Sequence, residues 1–198
     1  MHHICYATKS DLSEPFAGNI QAVEMVRAFQ EIGLNVTLVQ GRAGTNAPVK
    51  GPRRTLNGLE ISQVEIRQRR WFPGWCNSLF LSFGVPRNAD LVVTRSLSLA
   101  CLTALRMPVI LEMHEPSHRR GSIKAHLASK FLELRNLRAV VCISSALRER
   151  VAADFRAVEK KLHVLPDGAR FSASEPWERR GLTEALSPRI GFFGHLYV

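Results

Sequence analysis

The sequence has no apolar run long enough to cross a bilayer. A membrane-spanning helix needs roughly 18 consecutive apolar residues or more, and no run in these 198 residues approaches that length. The amino terminus, Met1-His-His-Ile-Cys-Tyr6, also lacks the basic segment followed by an apolar one that marks a secretory signal. We therefore expect a cytoplasmic protein.

Several common site patterns are absent as well. Neither G-x-G-x-x-G nor G-x-x-x-x-G-K-S/T occurs, which argues against a standard dinucleotide site or P-loop. The four cysteines form no C-x-x-C, and Cys5 and Cys142 fall in predicted central strands, so we expect buried, reduced thiols. His114 and His118 are close in sequence, but no third ligand has a recognisable spacing, so no metal site is predicted.

Acidic residues are scarce where the basic ones cluster, and the formal net charge is +10. Such a field favours an anionic partner: a nucleotide diphosphate, a phospholipid surface or nucleic acid. The alternative is an ordinary solvated basic surface. Nucleic acid ranks last, because no helix-turn-helix, RNA-recognition or OB pattern is present. One basic stretch also carries tryptophan, and we call it the basic aromatic patch: Arg67, Arg69, Arg70, Trp71 and Trp75.

Short apolar runs alternate with longer amphipathic ones, which predicts an α/β fold built on a doubly wound, mostly parallel sheet. The predicted strands lie at residues 4–7, 34–39, 59–66 and 162–165 and around Leu91, Val109 and Ala139. The predicted helices lie at residues 20–32, 97–105 and 123–137 and along Leu147, Val151 and Phe155, with a short helix or loop at 73–84. Residues 41–57 are expected to form a mobile loop.

Four polar candidates fall at the carboxyl ends of predicted strands, where open parallel sheets bind their ligands. They are Arg95, Glu112, His114 and Ser144. Glu112 and His114 are two residues apart on one strand and so point to the same face, where they can bind sugar hydroxyls or phosphate oxygens. Arg95 pairs either with a carboxylate, Asp90 or Glu112, or with a ligand phosphate.

Gly18-Asn19 stands at the start of the first predicted helix. The unpaired N–H groups of a helix start form an anion site, and Gly18 has no Cβ to hinder a phosphate or sugar. Asn19 is a good N-cap, and a simple cap is the alternative interpretation. An N-cap is also the alternative interpretation of Ser144 and Ser145, since either residue can cap the helix that follows. Gly33 is the expected C-cap of the first helix.

The chain is interpreted as one complete domain, residues 1–171, and the opening of a second. Residues 172–187 are polar and suit a linker, while residues 188–198 resemble the first strand of a further domain. A strand without its following helix does not complete a domain.

Six segments occur in an order that matches a known family. They are Gly18-Asn19, Asp90-Leu-Val-Val-Thr-Arg-Ser96, Pro108-Val-Ile-Leu-Glu-Met-His114, Val140-Val-Cys-Ile-Ser-Ser-Ala-Leu147, Lys161-Leu-His-Val-Leu-Pro-Asp-Gly168 with Phe171, and Ile190-Gly-Phe-Phe-Gly-His195. Together they resemble the N-terminal half of GT-B glycosyltransferases of the retaining group called glycosyltransferase family four. The resemblance covers essentially the whole chain.

The resemblance implies sugar transfer with retention from a nucleotide-sugar donor, in a cleft between two Rossmann-like domains and without a required metal. This chain would be the acceptor-binding half. By position, His114 would contact the donor sugar and act through positioning and electrostatics. Gly18 would lie near the donor diphosphate or the acceptor, and Gly168 would border the interdomain cleft. With Asn19, Arg95, Glu112 and Ser144, these residues form the expected substrate site.

The family's donor-binding domain is absent from these residues, and Asn19 stands where the family often has a second glycine. We therefore expect the chain to bind acceptor and to be inactive alone. The alternatives are a non-catalytic binding or scaffold module, or one subunit of a split enzyme whose donor-binding domain is a separate chain. Related enzymes often handle polysaccharide or lipid-linked acceptors, so the basic aromatic patch is expected to meet an acceptor or the anionic inner face of a membrane.

Overall fold

The computed structural model describes residues 2–12, 17–43, 50–56, 59–68, 73–115 and 129–166. The strands in this part of the chain are β1 (His3–Thr8), β2 (Asn35–Ala43), β3 (Lys50–Leu56), β4 (Leu59–Gln68), β5 (Leu91–Thr94), β6 (Val109–Met113), β7 (Leu137–Cys142) and β8 (Leu162–Val164). The helices are α1 (Ala17–Glu31), α2 (Gly74–Gly84), α3 (Leu97–Ala104), α4 (Ser145–Asp154) and a 3-10 helix (Arg156–Lys161). Residues 129–132 are also helical.

The strands form a single sheet in the order β3-β4-β2-β1-β5-β6-β7-β8. Every neighbouring pair is parallel except β3 and β4, which confirms the predicted doubly wound, mostly parallel sheet. The strand order reverses between β1 and β5, and a ligand crevice opens at such a reversal beyond the carboxyl ends of the strands. Lys9 directly follows β1 and Arg95 directly follows β5, so both residues lie at this crevice.

Two apolar cores cover the two faces of the sheet, because successive side chains of a strand point to opposite sides. In β1, Cys5 and Ala7 pack in the cluster that includes residues of α2, α3 and α4. Ile4 and Tyr6 pack in the cluster that includes residues of α1. The cysteine prediction is confirmed, since Cys5 and Cys142 are buried free thiols and burial raises the pKa of both.

The prediction of a mobile loop at residues 41–57 is wrong in the described part of that stretch. β2 continues to Ala43, and β3 pairs with β4 as an antiparallel strand at the edge of the sheet. Pro52 interrupts the alternation that marks a strand, and the pairing shifts register between Gly51 and Arg54. A proline is tolerated there because an edge strand leaves part of its backbone unpaired.

Helix boundaries account for the other differences. The helix predicted at residues 123–137 gives way to a turn after residue 132, and Leu137 already belongs to β7. Phe155 follows α4 instead of lying inside it. Gly33 has a φ of +83° after α1, which confirms the predicted C-cap. No helix among the described residues has the length and apolarity to cross a membrane. The predicted linker and second-domain strand, residues 172–198, lie outside the described residues.

Candidate functional site

A cavity of about 1070 Å³ opens at the carboxyl edge of the sheet, where the strand order reverses. Its lining includes three of the predicted site residues, Gly18, Arg95 and His114, and also Trp75 of the basic aromatic patch. A volume of this size accommodates a small-molecule substrate. The topology therefore brings residues from distant parts of the sequence to one opening.

Arg95, Glu112 and His114 form a contiguous hydrogen-bonded group at this edge. Nε2 of His114 donates to Oε1 of Glu112 at 2.5 Å, and Arg95 Nε lies 3.6 Å from the same oxygen. Arg95 Nη2 donates to Nδ1 of His114 at 2.8 Å and also contacts its Nε2. The Glu112 carboxylate is buried, and inside the protein it has the Arg95 guanidinium as its opposite charge and the His114 ring as a hydrogen-bond donor.

The two terminal nitrogens of Arg95, its guanidinium fork, also connect β5 to the start of α1. Nη1 donates to the carbonyl of Gly18 at 2.9 Å, and Nη2 donates to Oε1 of Gln21 at 2.8 Å. A planar guanidinium can make several such bonds at once, whereas a single ammonium cannot match their directions. Arg95 thus holds the first helix against the histidine.

The prediction that Arg95 might pair with Asp90 is wrong, and the reason is the direction of the strand. Asp90 precedes β5 and Arg95 follows it, so the two residues lie at opposite ends. The Asp90 carboxylate instead accepts from the backbone N–H of His3 at 2.8 Å. This hydrogen bond lowers the pKa of Asp90. Glu112, the other candidate, is the carboxylate beside Arg95.

Asn19 has a different role from the one predicted. Helix α1 begins at Ala17, so Asn19 lies in its first turn and is not the N-cap. Its side chain is buried, and Nδ2 donates to the carbonyl of Asp11 at 2.8 Å. Asn19 therefore fixes the chain that follows β1. Gly18 lines the cavity, and an added Cβ would meet Arg95 Nη1 at 3.7 Å, an ordinary contact.

Ser144 is the N-cap of α4. Its hydroxyl accepts from the backbone N–H of Leu147 at 3.2 Å, as an N-cap side chain does. Neither Ser144 nor Ser145 is part of the cavity lining, because β7 lies two strands beyond β5 in the sheet. The structure supports the capping alternative for Ser144 and assigns the cap to it, not to Ser145.

Lys9 is the site residue that the sequence analysis missed. It lines the cavity, and its Nζ donates to Oγ of Ser98 at 2.7 Å. The Ser98 oxygen lies 2.8 Å from Oγ of Ser78 and 3.3 Å from Oγ of Ser96. Burial lowers the pKa of Lys9. The rule that selected Arg95 and His114 also applies to Lys9, because it is the first residue after a parallel strand.

The basic aromatic patch is described at two of its five positions. Arg67 is exposed near the end of β4, and Trp75 is 61% exposed at the start of α2. Arg69, Arg70 and Trp71 lie outside the described residues, as does Gly168. Helix α2 exposes two further aromatic side chains, Phe80 and Phe83. Among the described residues, no group of three His, Cys, Asp or Glu side chains is placed to hold a metal ion.

Comparisons with known proteins identify the family and the fold. Residues 18–171 match the family model described as Glycosyltransferase Family 4. The structure is similar to a sucrose-phosphate synthase from Thermosynechococcus elongatus, with 13% identity and a TM-score of 0.58 over 84% of this chain and 48% of that one. It is also similar to HepE from Anabaena in complex with UDP and glucose, with 12% identity and a TM-score of 0.52 over 84% and 44% of the two chains.

These structural likenesses show the fold alone, because the identities are low. The chain spans about half the length of the two solved structures, 48% and 44%. No curated protein matches it.

Proposed function

Because this chain belongs to Glycosyltransferase Family 4 and has the fold of an N-terminal GT-B domain, we propose that it is the acceptor-binding half of a retaining, nucleotide-sugar-dependent glycosyltransferase. One observation carries the proposal: Arg95, Glu112 and His114 are hydrogen-bonded together at the carboxyl edge of the sheet, beside a cavity of about 1070 Å³. Open α/β sheets bind their substrates at this place.

In the proposed reaction, the bond from the anomeric carbon to the donor diphosphate breaks while the acceptor oxygen bonds to that carbon. The acceptor proton leaves with the diphosphate, so no group on this chain forms a covalent intermediate. His114 faces the cavity and would bind a hydroxyl of the donor sugar, while Glu112 fixes its ring. A donor held rigidly in this way lowers the barrier through orientation and preorganised charge.

The negative charge of the diphosphate would be met by the chain's own positive groups. Arg95 lines the cavity, and the N-terminus of α1, where Gly18 lies, carries the positive end of a helix dipole. We propose that transfer requires no metal ion. Turnover is expected to be unchanged in the presence of EDTA, and a loss that added Mg²⁺ or Mn²⁺ restores would contradict this part of the proposal.

The chain by itself is proposed to bind acceptor and to transfer nothing. The length of the chain supports this proposal, because the chain covers 48% and 44% of the two similar solved structures. A donor-binding domain, either in the same gene product or in a separate chain, would supply the other side of the site. Vigorous turnover by the 198-residue chain alone would contradict this statement.

The proposal is tested by nucleoside diphosphate release from a panel of nucleotide sugars, with the full-length gene product beside the 198-residue chain. UDP-glucose comes first, because HepE was solved with UDP and glucose. His114→Ala is expected to lower turnover on the order of 100-fold or more. His163→Ala is the matched control, since His163 is exposed on β8. Unchanged turnover in His114→Ala would contradict the role of His114, and no turnover by either protein would favour a non-catalytic binding module.

A second feature supports a location at the inner face of a membrane. Helix α2 exposes Trp75, Phe80 and Phe83, at 61%, 46% and 66%, and Arg106 lies 5.5 Å from the ring of Phe83. Aromatic rings beside arginine suit an anionic lipid surface. The proposed acceptor is accordingly a lipid-linked sugar or a growing polysaccharide.

Vesicle binding tests this location. Phe80→Ala with Phe83→Ala is expected to lower binding to phosphatidylglycerol vesicles about tenfold or more, because two apolar side chains are lost from the interface. Ile32→Ala is the control, since Ile32 is 73% exposed at the end of a different helix. Equal binding by both variants, or binding that does not fall with salt, would contradict a membrane role for α2.

A further inference from the structure

Lys9 stands out because the hydrogen-bond partner of its ammonium among the described residues is a hydroxyl and not a carboxylate. Nζ donates to Ser98 at 2.7 Å, and the hydroxyls of Ser78 and Ser96 lie beyond it. None of the ion pairs among the described residues includes Lys9. Arg95, by contrast, has the buried carboxylate of Glu112 at 3.6 Å. A partly buried ammonium without a carboxylate is costly unless an anion comes to it.

Much of the lining of the cavity that contains Lys9 is apolar. Successive side chains of β1 alternate between faces, so Lys9 follows Cys5 and Ala7 on the side that carries α2 and α3. The apolar side chains lining the cavity include Leu97, Leu102, Leu111, Met113 and Phe131. Glu115, the acidic residue in the lining, is exposed and makes no ion pair with Lys9.

We infer that the acceptor is an amphiphilic anion, with a phosphate or carboxylate bound by Lys9 and an apolar part against the wall formed by α3, β6 and Phe131. This inference rests on the proposed function, because it assigns the acceptor to this cavity. Lys9 supplies a point charge to the oxyanion, and Ser98 holds the ammonium in place. A neutral free sugar would satisfy neither the charge nor the apolar wall.

The test is equilibrium binding to the 198-residue chain, so it does not depend on turnover. Octyl phosphate, octanoate and octanol are the probes, with the two anions below their micelle concentrations and octanol below its solubility limit. At least one anionic probe is expected to bind about tenfold or more tightly than octanol, since a hydrogen bond to a charged group is worth about that factor. The tighter of the two anions identifies the acceptor group as phosphate or carboxylate. Equal binding of all three probes would overturn the inference.

Lys9→Gln removes the charge and is expected to bring the anion down to the affinity of octanol. Lys160→Gln is the matched control, because Lys160 is exposed on the 3-10 helix and loses the same charge. Lys9→Arg keeps a cation and is expected to retain most of the preference for the anion over octanol. This variant distinguishes the loss of the charge from a loss of folding. An unchanged anion preference in Lys9→Gln, or an equal loss in Lys160→Gln, would overturn the assignment of the oxyanion to Lys9.

The two proposals fail separately. If the chain binds octyl phosphate through Lys9 but the full-length gene product turns over no nucleotide sugar, the proposed function is wrong and the anion site stands. If turnover depends on His114 but not on Lys9, and the anions bind no better than octanol, the inference about the acceptor is wrong and the proposed function stands.

Discussion

Oε1 of Glu112 lies 2.5 Å from Nε2 of His114, two residues further along the chain. β6 ends at Met113, so the glutamate is the buried member of the pair and the histidine reaches into the cavity. The alternation of side chains along a strand puts both on one face. A buried carboxylate therefore sets the ring orientation of the group proposed to meet the donor sugar.

Arg95→Lys tests whether the guanidinium fork, and not the charge alone, holds this site together. A lysine cannot reproduce the bonds to Gly18, Gln21 and His114. We expect the free energy of unfolding to fall by about 1.5–3 kcal/mol, the range for hydrogen bonds to charged groups. Urea denaturation measures it. Arg87→Lys, at an exposed turn, should change stability by less than about 0.5 kcal/mol, and equal effects would contradict the role of the fork.

Binding of the anionic probe should weaken as the pH rises. Burial lowers the pKa of Lys9, so its ammonium loses a proton at a lower pH than an ordinary lysine, whose value is about 10.4. The anion preference is present below that folded-state pKa and is lost above it. The other titratable groups in the cavity lining are Arg95, His114, Glu115 and Cys101, whose pKa burial raises to about 12.

Titration of octyl phosphate affinity between about pH 8 and pH 11, which spans the ordinary lysine value and keeps the probe a dianion, measures this loss. Lys9→Arg should keep its affinity over the same interval, because a guanidinium stays protonated. A wild-type affinity that stays level throughout, or a parallel decline in Lys9→Arg, would show that another group controls the binding.

Gly41 is required where β2 passes the chain that follows β1. A Cβ at this position would collide with the backbone carbonyl of Lys9 and with the side chain of Gln68. Gly41→Ala should therefore lower the free energy of unfolding by about 1–3 kcal/mol through overpacking. It should also weaken the binding of the anionic probe, because the added Cβ displaces Lys9. In Gly74→Ala, nothing lies within 4 Å of the added Cβ, and helix propensity favours alanine. Similar denaturation midpoints for the two variants would contradict this account.

Ser144→Ala should lower the stability of the protein and leave its turnover unchanged. The hydroxyl caps α4 through Leu147 N–H, and losing such a cap costs about 1 kcal/mol. Ser145→Ala is the neighbouring control, because Ser145 is already inside the helix. Turnover and anion binding are expected to be unchanged in both variants. A large loss of turnover in Ser144→Ala at full folding would restore Ser144 as a substrate-binding residue.

The parallel strands were predictable because their apolar runs are buried on both faces. For β5 and β6, the runs around Leu91 and Val109 fixed the strand ends closely enough to select Arg95, Glu112 and His114. The shared face of Glu112 and His114 was predictable from their spacing, but the contacts of Arg95 with both depend on which strands are neighbours, so Glu112 was only one of two candidate carboxylates. The strand order places β5 beside β6 and β1 beside β5. Sequence patterns do not show which strands are neighbours in the sheet.

Features that depend on the edge of the sheet or on local capping were missed for other reasons. β3 has Gly51 and Pro52 and gains its strand character only by pairing with β4. Asn19 fits the statistics of an N-cap, but α1 begins two residues earlier, at Ala17, and the side chain of Asn19 binds the carbonyl of Asp11 instead. Lys9 was overlooked because a lysine in a polar loop resembles any solvated surface residue. Its burial follows from the close approach of Ser98 on α3, which lies far away in sequence.

The most direct test of the account is a double-mutant cycle on Glu112 and His114, measured as nucleotide-sugar turnover by the full-length gene product. If Glu112 acts by orienting His114, Glu112→Gln and His114→Ala should each lower turnover on the order of 100-fold, and the double variant should be no slower than the slower single one. Losses that multiply to about 10⁴-fold would show two independent roles. That result would contradict the claim that the buried glutamate works through the histidine.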